Sequence, residues 1–141
     1  DWTYVTDPHH ASDNRWLHRP RMDWAAAARR DQAGTVEARI HADLVALIDA
    51  RRAAPQLHAA TPLEVIDIGD PAVLAFRRDH RAGELLSVSN VSDLATVVPA
   101  AVLPVSASGW VRDLLDESRH PADAPVALPA RGVRWLVPDG S

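Results

Sequence analysis

The chain has 141 residues, 47% hydrophobic and 24% charged, with a net charge of −4. That length suffices for a core of its own, and the acidic balance argues against nucleic acid or an anionic membrane as a partner. There is no cysteine, so disulfides, thiolate metal sites and cysteine nucleophiles are excluded, and no apolar run is long enough for a transmembrane helix. All fifteen basic residues are arginine. The start, Asp1-Trp2-Thr3-Tyr4, lacks both a methionine and an apolar signal segment. The expectation is a fragment of a longer protein, cytoplasmic, with secretion left open.

Residues 1–22 show no regular period, and Asp7-Pro8 and Arg19-Pro20 disfavour helix before each proline. An ordered loop is expected. Asp23 suits a helix N-cap, because its carboxylate can accept from the free N–H groups of a first turn. A short helix then runs from Trp24 to Arg30 and is broken by Gly34. Thr35 can cap a second, longer helix over 35–53. Its Val36, Ile40, Leu44, Leu47 and Ile48 recur at the spacing of one face, and Pro55 stops it. That apolar stripe is expected to be core, or in a larger parent to dock on another element.

After Pro55 the period changes. Short β-branched runs separated by glycine and proline turns predict strands at 64–68, 73–78, 84–90, 95–98, 102–105, 110–115, 126–128 and 133–137. Their spacing points to an antiparallel sandwich. Phe76, Trp110 and Trp135 sit in apolar runs and read as core, which counts against a free-standing carbohydrate-binding module.

Residues 13–24 hold three arginines, a histidine, two aspartates and two tryptophans. The arginine fork matches carboxylates and vicinal hydroxyls, and tryptophan adds a broad apolar face. Such a loop suits either a sugar site or a salt-bridged corner. Trp16 and Trp24 read as interface seals, and His18, Arg19 and Arg21 as scaffold. Asp7, His9, His10 and Asp13 are chemically suitable metal ligands, yet adjacent histidines on one loop seldom converge on an ion, so no metal and no cofactor is expected. Ser87 and Ser106 read as ordinary hydroxyls. Glu37, Glu64, Glu84 and Glu117 are too scattered to form an acid–nucleophile pair.

Asp13-Asn14-Arg15-Trp16-Leu17-His18-Arg19-Pro20 closely resembles a segment of amylosucrases and related sucrose hydrolases, in the α-amylase superfamily. The similarity continues through Met22-Asp23-Trp24, Thr35 to Ile40 and Leu47 to Pro55. It persists more weakly in Val73–Arg78, Leu85–Ser92, Trp110–Leu115 and Pro129–Leu136, where Ala130-Arg131 replaces the family's more usual turn. The resemblance implies an α+β fragment. Residues 1–56 would be the active-site loop and last helices of a (β/α)8 barrel, and 57–141 a C-terminal antiparallel β-sandwich domain. It implies that Arg15 binds the glucosyl unit beside an aspartate from an earlier barrel loop, with Asp13, Trp16 and His18 in support. The substrates implied are sucrose and α-glucan. Retaining transfer needs two carboxyl groups about 5 Å apart, which in that family precede this segment. The chain alone is therefore expected to lack the catalytic residues, whichever of transferase, hydrolase or other glucosidase the parent is.

Overall fold

The computed structural model describes residues 3–13, 15 and 22–140. By its internal packing the chain divides into two compact units, Asp1–Leu44 and Val45–Ser141, with the division falling inside a helix.

In the first unit a helical turn, α1 (Thr3–Thr6), interrupts the segment expected to be loop throughout. Asp23 caps α2 (Trp24–Ala28) as expected: its carboxylate accepts from the Ala26 N–H at 2.9 Å. A 3-10 turn over Arg29–Asp31 follows, and Gly34, at φ +86°, reverses the chain. That left-handed conformation is open to glycine and costly for most other residues.

Helix α3 (Val36–Ala53) starts where Thr35 accepts from the Ala38 N–H at 3.1 Å. Glu37 in its first turn pairs with Arg29 and favours the positive helix end. Its apolar stripe is not core among the described residues: no residue of α3 is buried, and Val36, Ile40, Leu44, Leu47 and Ile48 are each 40–57% exposed. The period made the helix, but its apolar face stays about half exposed among the described residues. Trp24, expected to seal an interface, is likewise 76% exposed.

The second unit is antiparallel throughout. A six-stranded sheet runs in the order β1-β2-β3-β8-β5-β6, and β4 pairs with β7 in a separate ribbon. The strands are β1 (Glu64–Ile66), β2 (Val73–His80), β3 (Gly83–Asn90), β4 (Thr96–Val98), β5 (Trp110–Asp113), β6 (Arg119–Pro121), β7 (Val126–Leu128) and β8 (Val133–Pro138). Between sheet and ribbon lies an aliphatic core. The sheet contributes Ala75, Leu86, Val88, Val111 and Leu136, and the ribbon Val98, Val126 and Leu128. The expected sandwich is thus present in small form, built by strand alternation.

β3 departs from alternation, because Leu85, Leu86, Ser87 and Val88 are all buried. Both of its faces are covered. The core lies on one side, and on the other Ala54 and Leu57 pack with Leu85, Val137, Leu114 and Trp135.

Four local expectations are corrected. Residues 102–105 are not a strand: Ala100–Val102 forms a 3-10 turn. Pro99 and Pro104 each lack the N–H a ladder needs. The first strand stops at Ile66, because Asp67 turns the chain by accepting from the Gly69 N–H at 2.8 Å. β5 stops at Asp113, whose carboxylate accepts from the Leu115 N–H at 3.0 Å. β6, an Arg-His-Pro edge strand, carries no apolar signal and was not expected.

The aromatic core is corrected as well. Phe76, Trp110 and Trp135 alternate with the buried Ala75, Val111 and Leu136, so all three lie on the sheet face away from the core. Phe76 and Trp135 are half-buried and Trp110 is exposed. The narrow gap between sheet and ribbon is filled by valine and leucine.

Candidate functional site

The segment 7–15 folds on local hydrogen bonds. The Asp7 carboxylate accepts from the His9 N–H at 2.9 Å and its carbonyl from the His10 N–H at 2.9 Å. One turn later the Asp13 N–H donates to the His10 carbonyl at 3.0 Å. Asp13 is thereby aimed back over the chain that follows it.

Arg15 meets it there. Its backbone N–H donates to Asp13 Oδ1 at 3.0 Å, its Nε–H to Oδ1 at 2.9 Å, and its Nη2 to Oδ2 at 2.7 Å. This is a two-pronged charge-assisted pair, the geometry in which arginine loses little freedom per bond. The Arg15 side chain nevertheless remains 73% exposed. Nη1 makes no hydrogen bond among the described residues, so one side of the fork stays open while Asp13 holds the other.

The Arg15 guanidinium beside Asp13 holds the Asp13 carboxyl down at about 2, and the Asp13 carboxylate raises the Arg15 pKa in turn. For a carboxylate with a depressed pKa, the stabilisation from the pair is present above the unfolded value of 3.8. It is lost as pH falls through about 2. The Asp13 side-chain carbon followed by NMR should therefore titrate near pH 2. In Arg15→Ala it should return to the ordinary carboxylate range, and a midpoint unmoved by that substitution would dissolve the clamp.

Trp16 and His18, the other two supporting candidates, lie outside the described residues, as do Arg19 and Arg21. Among the described residues no three His, Asp or Glu groups stand together as a metal site, and no helix is long and apolar enough to cross a membrane.

A groove of about 340 Å³ in the second unit is lined by His58, Thr61, Asp79, His80 and Arg81. Its histidines are committed to structure. Nδ1 of His58 accepts from the Ala60 N–H and Nδ1 of His80 from the Ala82 N–H, at 3.3 and 3.1 Å. Each Nδ1 is thus engaged with its own loop backbone rather than turned to solvent.

The most buried carboxylate escaped the sequence reading. Asp113, 1% exposed, accepts from Arg134 Nη1 at 2.9 Å and from the Leu115 and Trp135 N–H groups at 3.0 and 3.1 Å. Arg134 also donates to the Ala127 carbonyl at 2.7 Å, which ties β8 to the ribbon. A carboxylate in the midst of the apolar run Trp110–Leu115 was the available signal. Both of its oxygens are held by internal donors, so its role is architectural.

No family model matches the chain, and no curated protein does. Among solved structures, 53 chains are similar to it. One is from the crystal structure of AmyP in complex with maltose, with a TM-score of 0.52 and 19% sequence identity. The match covers 67% of this chain and 20% of that one, so the chain spans about a fifth of the length of its counterpart. At that identity the likeness is one of fold.

Proposed function

We propose that this chain is the C-terminal part of a retaining, sucrose-acting glucosyltransferase of the amylosucrase type. Residues 1–56 would belong to the end of its barrel and 57–141 to its C-terminal β-domain. The Asp13–Arg15 clamp carries the proposal. It lies within the segment most similar to that family, and it presents a fixed guanidinium with N–H donors still unused. Those donors suit the hydroxyls of a glucosyl ring. Asp13 keeps the fork from rotating, so little orientational freedom remains to be lost on binding. The fold likeness to an α-amylase-family glycoside hydrolase supports the coarse class and is neutral on sucrose.

Within this scheme the chain supplies one wall of a glucose pocket. The nucleophile and general acid come from preceding barrel strands, and Trp16 and His18 support the wall. A sucrose hydrolase uses the same wall with water as acceptor. In the full-length enzyme, Arg15→Ala should lower kcat/KM for sucrose on the order of 100-fold, the scale of losing a positioning contact. Arg15→Lys should recover little, because a point charge cannot reproduce the fork. Fructose release unchanged by Arg15→Ala would reduce the clamp to a structural corner.

The alternative of a non-catalytic carbohydrate-binding sandwich gains one point from the structure, since Trp110 is exposed. It also loses one: the Arg119 guanidinium lies over that ring, 5.5 Å from its centroid, where a sugar would stack.

A further inference from the structure

Most described arginines already hold a carboxylate, and Arg78 holds backbone carbonyls instead. Arg39, Arg51 and Arg81 make no ion pair and no side-chain hydrogen bond among the described residues. Two of these three stand beside one histidine. The groove of about 340 Å³ is lined by Arg81 and His58, and an adjoining one of about 290 Å³ by Arg51, Arg52 and the same His58. Arg52 reaches its carboxylate, Asp49, only at 3.8 Å. Asp79 is the one carboxylate that lines either groove. On a chain of net charge −4 this is a local concentration of positive charge.

The larger groove is preformed. Arg78 Nη1 donates to the His58 and Thr61 carbonyls at 3.0 Å each, which holds the loop before β1 onto β2. The Nδ1 atoms of His58 and His80 are fixed by backbone N–H groups, and Nε2 of each makes no hydrogen bond among the described residues. Thr61 also lines the groove. It is only 8% exposed, yet its hydroxyl has no hydrogen-bond partner among the described residues. A polar group that buried normally has one, so the hydroxyl calls for an acceptor from outside the chain.

We infer that this groove binds the phosphoryl group of a small phosphate ester. Arg81, Thr61 and the two histidine Nε2 atoms supply donors, and Arg51 adds charge from the far side of His58. A phosphoryl group offers several acceptor oxygens, and the arginine fork matches it with two bonds at once. Ala60 and Pro62 give an apolar wall for the organic part of the ester. Two observations choose this ligand class over others. The arginines repel a metal cation, and no three His, Asp or Glu groups stand together to hold one. A neutral sugar needs acceptors as well as donors, and the groove has the single carboxylate Asp79. The site lies in the second unit and uses neither Asp13 nor Arg15, so it is independent of the sucrose proposal.

The test titrates the 141-residue chain with inorganic phosphate at constant ionic strength and follows backbone amides by ¹H–¹⁵N NMR. Saturable shifts should be confined to residues 51–62 and 79–82. Arg81→Gln removes an exposed, unpaired side chain and should raise the apparent Kd at least about tenfold, the scale of a bond to a charged group. Thr61→Val keeps the shape of the buried residue and should raise it about two- to tenfold. Arg39→Gln removes the same charge elsewhere and should leave the Kd unchanged. Glucose 1-phosphate and ADP, titrated in the same way, distinguish a sugar phosphate from a nucleotide by which binds tighter, and equal affinities for both and for phosphate would assign the site to the phosphoryl group alone. No saturation by about 100 mM phosphate would overturn the inference, since that is weaker than any specific site would be. So would an Arg39→Gln loss equal to that of Arg81→Gln, or glucose binding as tightly as glucose 1-phosphate.

Discussion

Replacing Asp113 with alanine should destabilise the β-unit by about 3–5 kcal/mol, the cost of breaking a buried ion pair from one side. The carboxylate is 1% exposed and accepts from Arg134 and from two backbone N–H groups. Its removal leaves Arg134, whose side chain is only 14% exposed, with Asp116 at 3.4 Å as its remaining carboxylate. The Leu115 and Trp135 N–H groups lose their partner at the same time. In thermal unfolding the midpoint should fall by about 15–25 °C. Asp113→Asn keeps an acceptor in place and should cost distinctly less. A melting curve for Asp113→Ala within a degree or two of the unsubstituted chain would show that the network is idle.

Leu136→Ala should cost about 2–5 kcal/mol, through lost burial and the cavity left behind. Leu136 is fully buried on β8, an inner strand, opposite Leu86 and Asp113 in register. Val97→Ala, on the solvent side of the ribbon at 53% exposure, should change stability by less than about 0.5 kcal/mol. Urea unfolding of the two variants separates the faces, and equal losses would contradict the placement of the core. Because Asp113 and Leu136 are cross-strand neighbours, their double variant should depart from additivity.

The Arg15 clamp was partly legible in the sequence. A dense loop of arginines, aspartates and tryptophans marked the segment, and Asp13 was named in support of Arg15. The expected partner of Arg15 was an aspartate from another loop. Within this chain the partner is Asp13, two residues away, because the turns at Asp7 and His10 bring that carboxylate back over the fork. Trp16 and His18 lie outside the described residues, so their part in the pocket stands as proposed.

The legible parts of the fold were those set by local chemistry. Asp23 and Thr35 cap their helices through side-chain oxygens that need no tertiary partner. Gly34 and Pro55 interrupt helix through their own backbone limits. The runs at 73–78, 84–90, 126–128 and 133–137 each became a strand, since β-branched and aliphatic side chains at alternating positions fit a pleated surface.

What only the tertiary structure decided was which side of each strand is wet and which strands are neighbours. Phe76, Trp110 and Trp135 have the composition of core residues, and the registers of β2 on β3, β3 on β8 and β5 on β8 put all three on the outer face. β6 exists because β5 offers it an edge, and no property of Arg-His-Pro would have predicted it. α3 shows the limit from the other direction. Its apolar stripe determined that it would be a helix, since periodicity is a property of the chain alone. Whether that stripe is core depends on a surface to meet it, and periodicity carries no information about the partner.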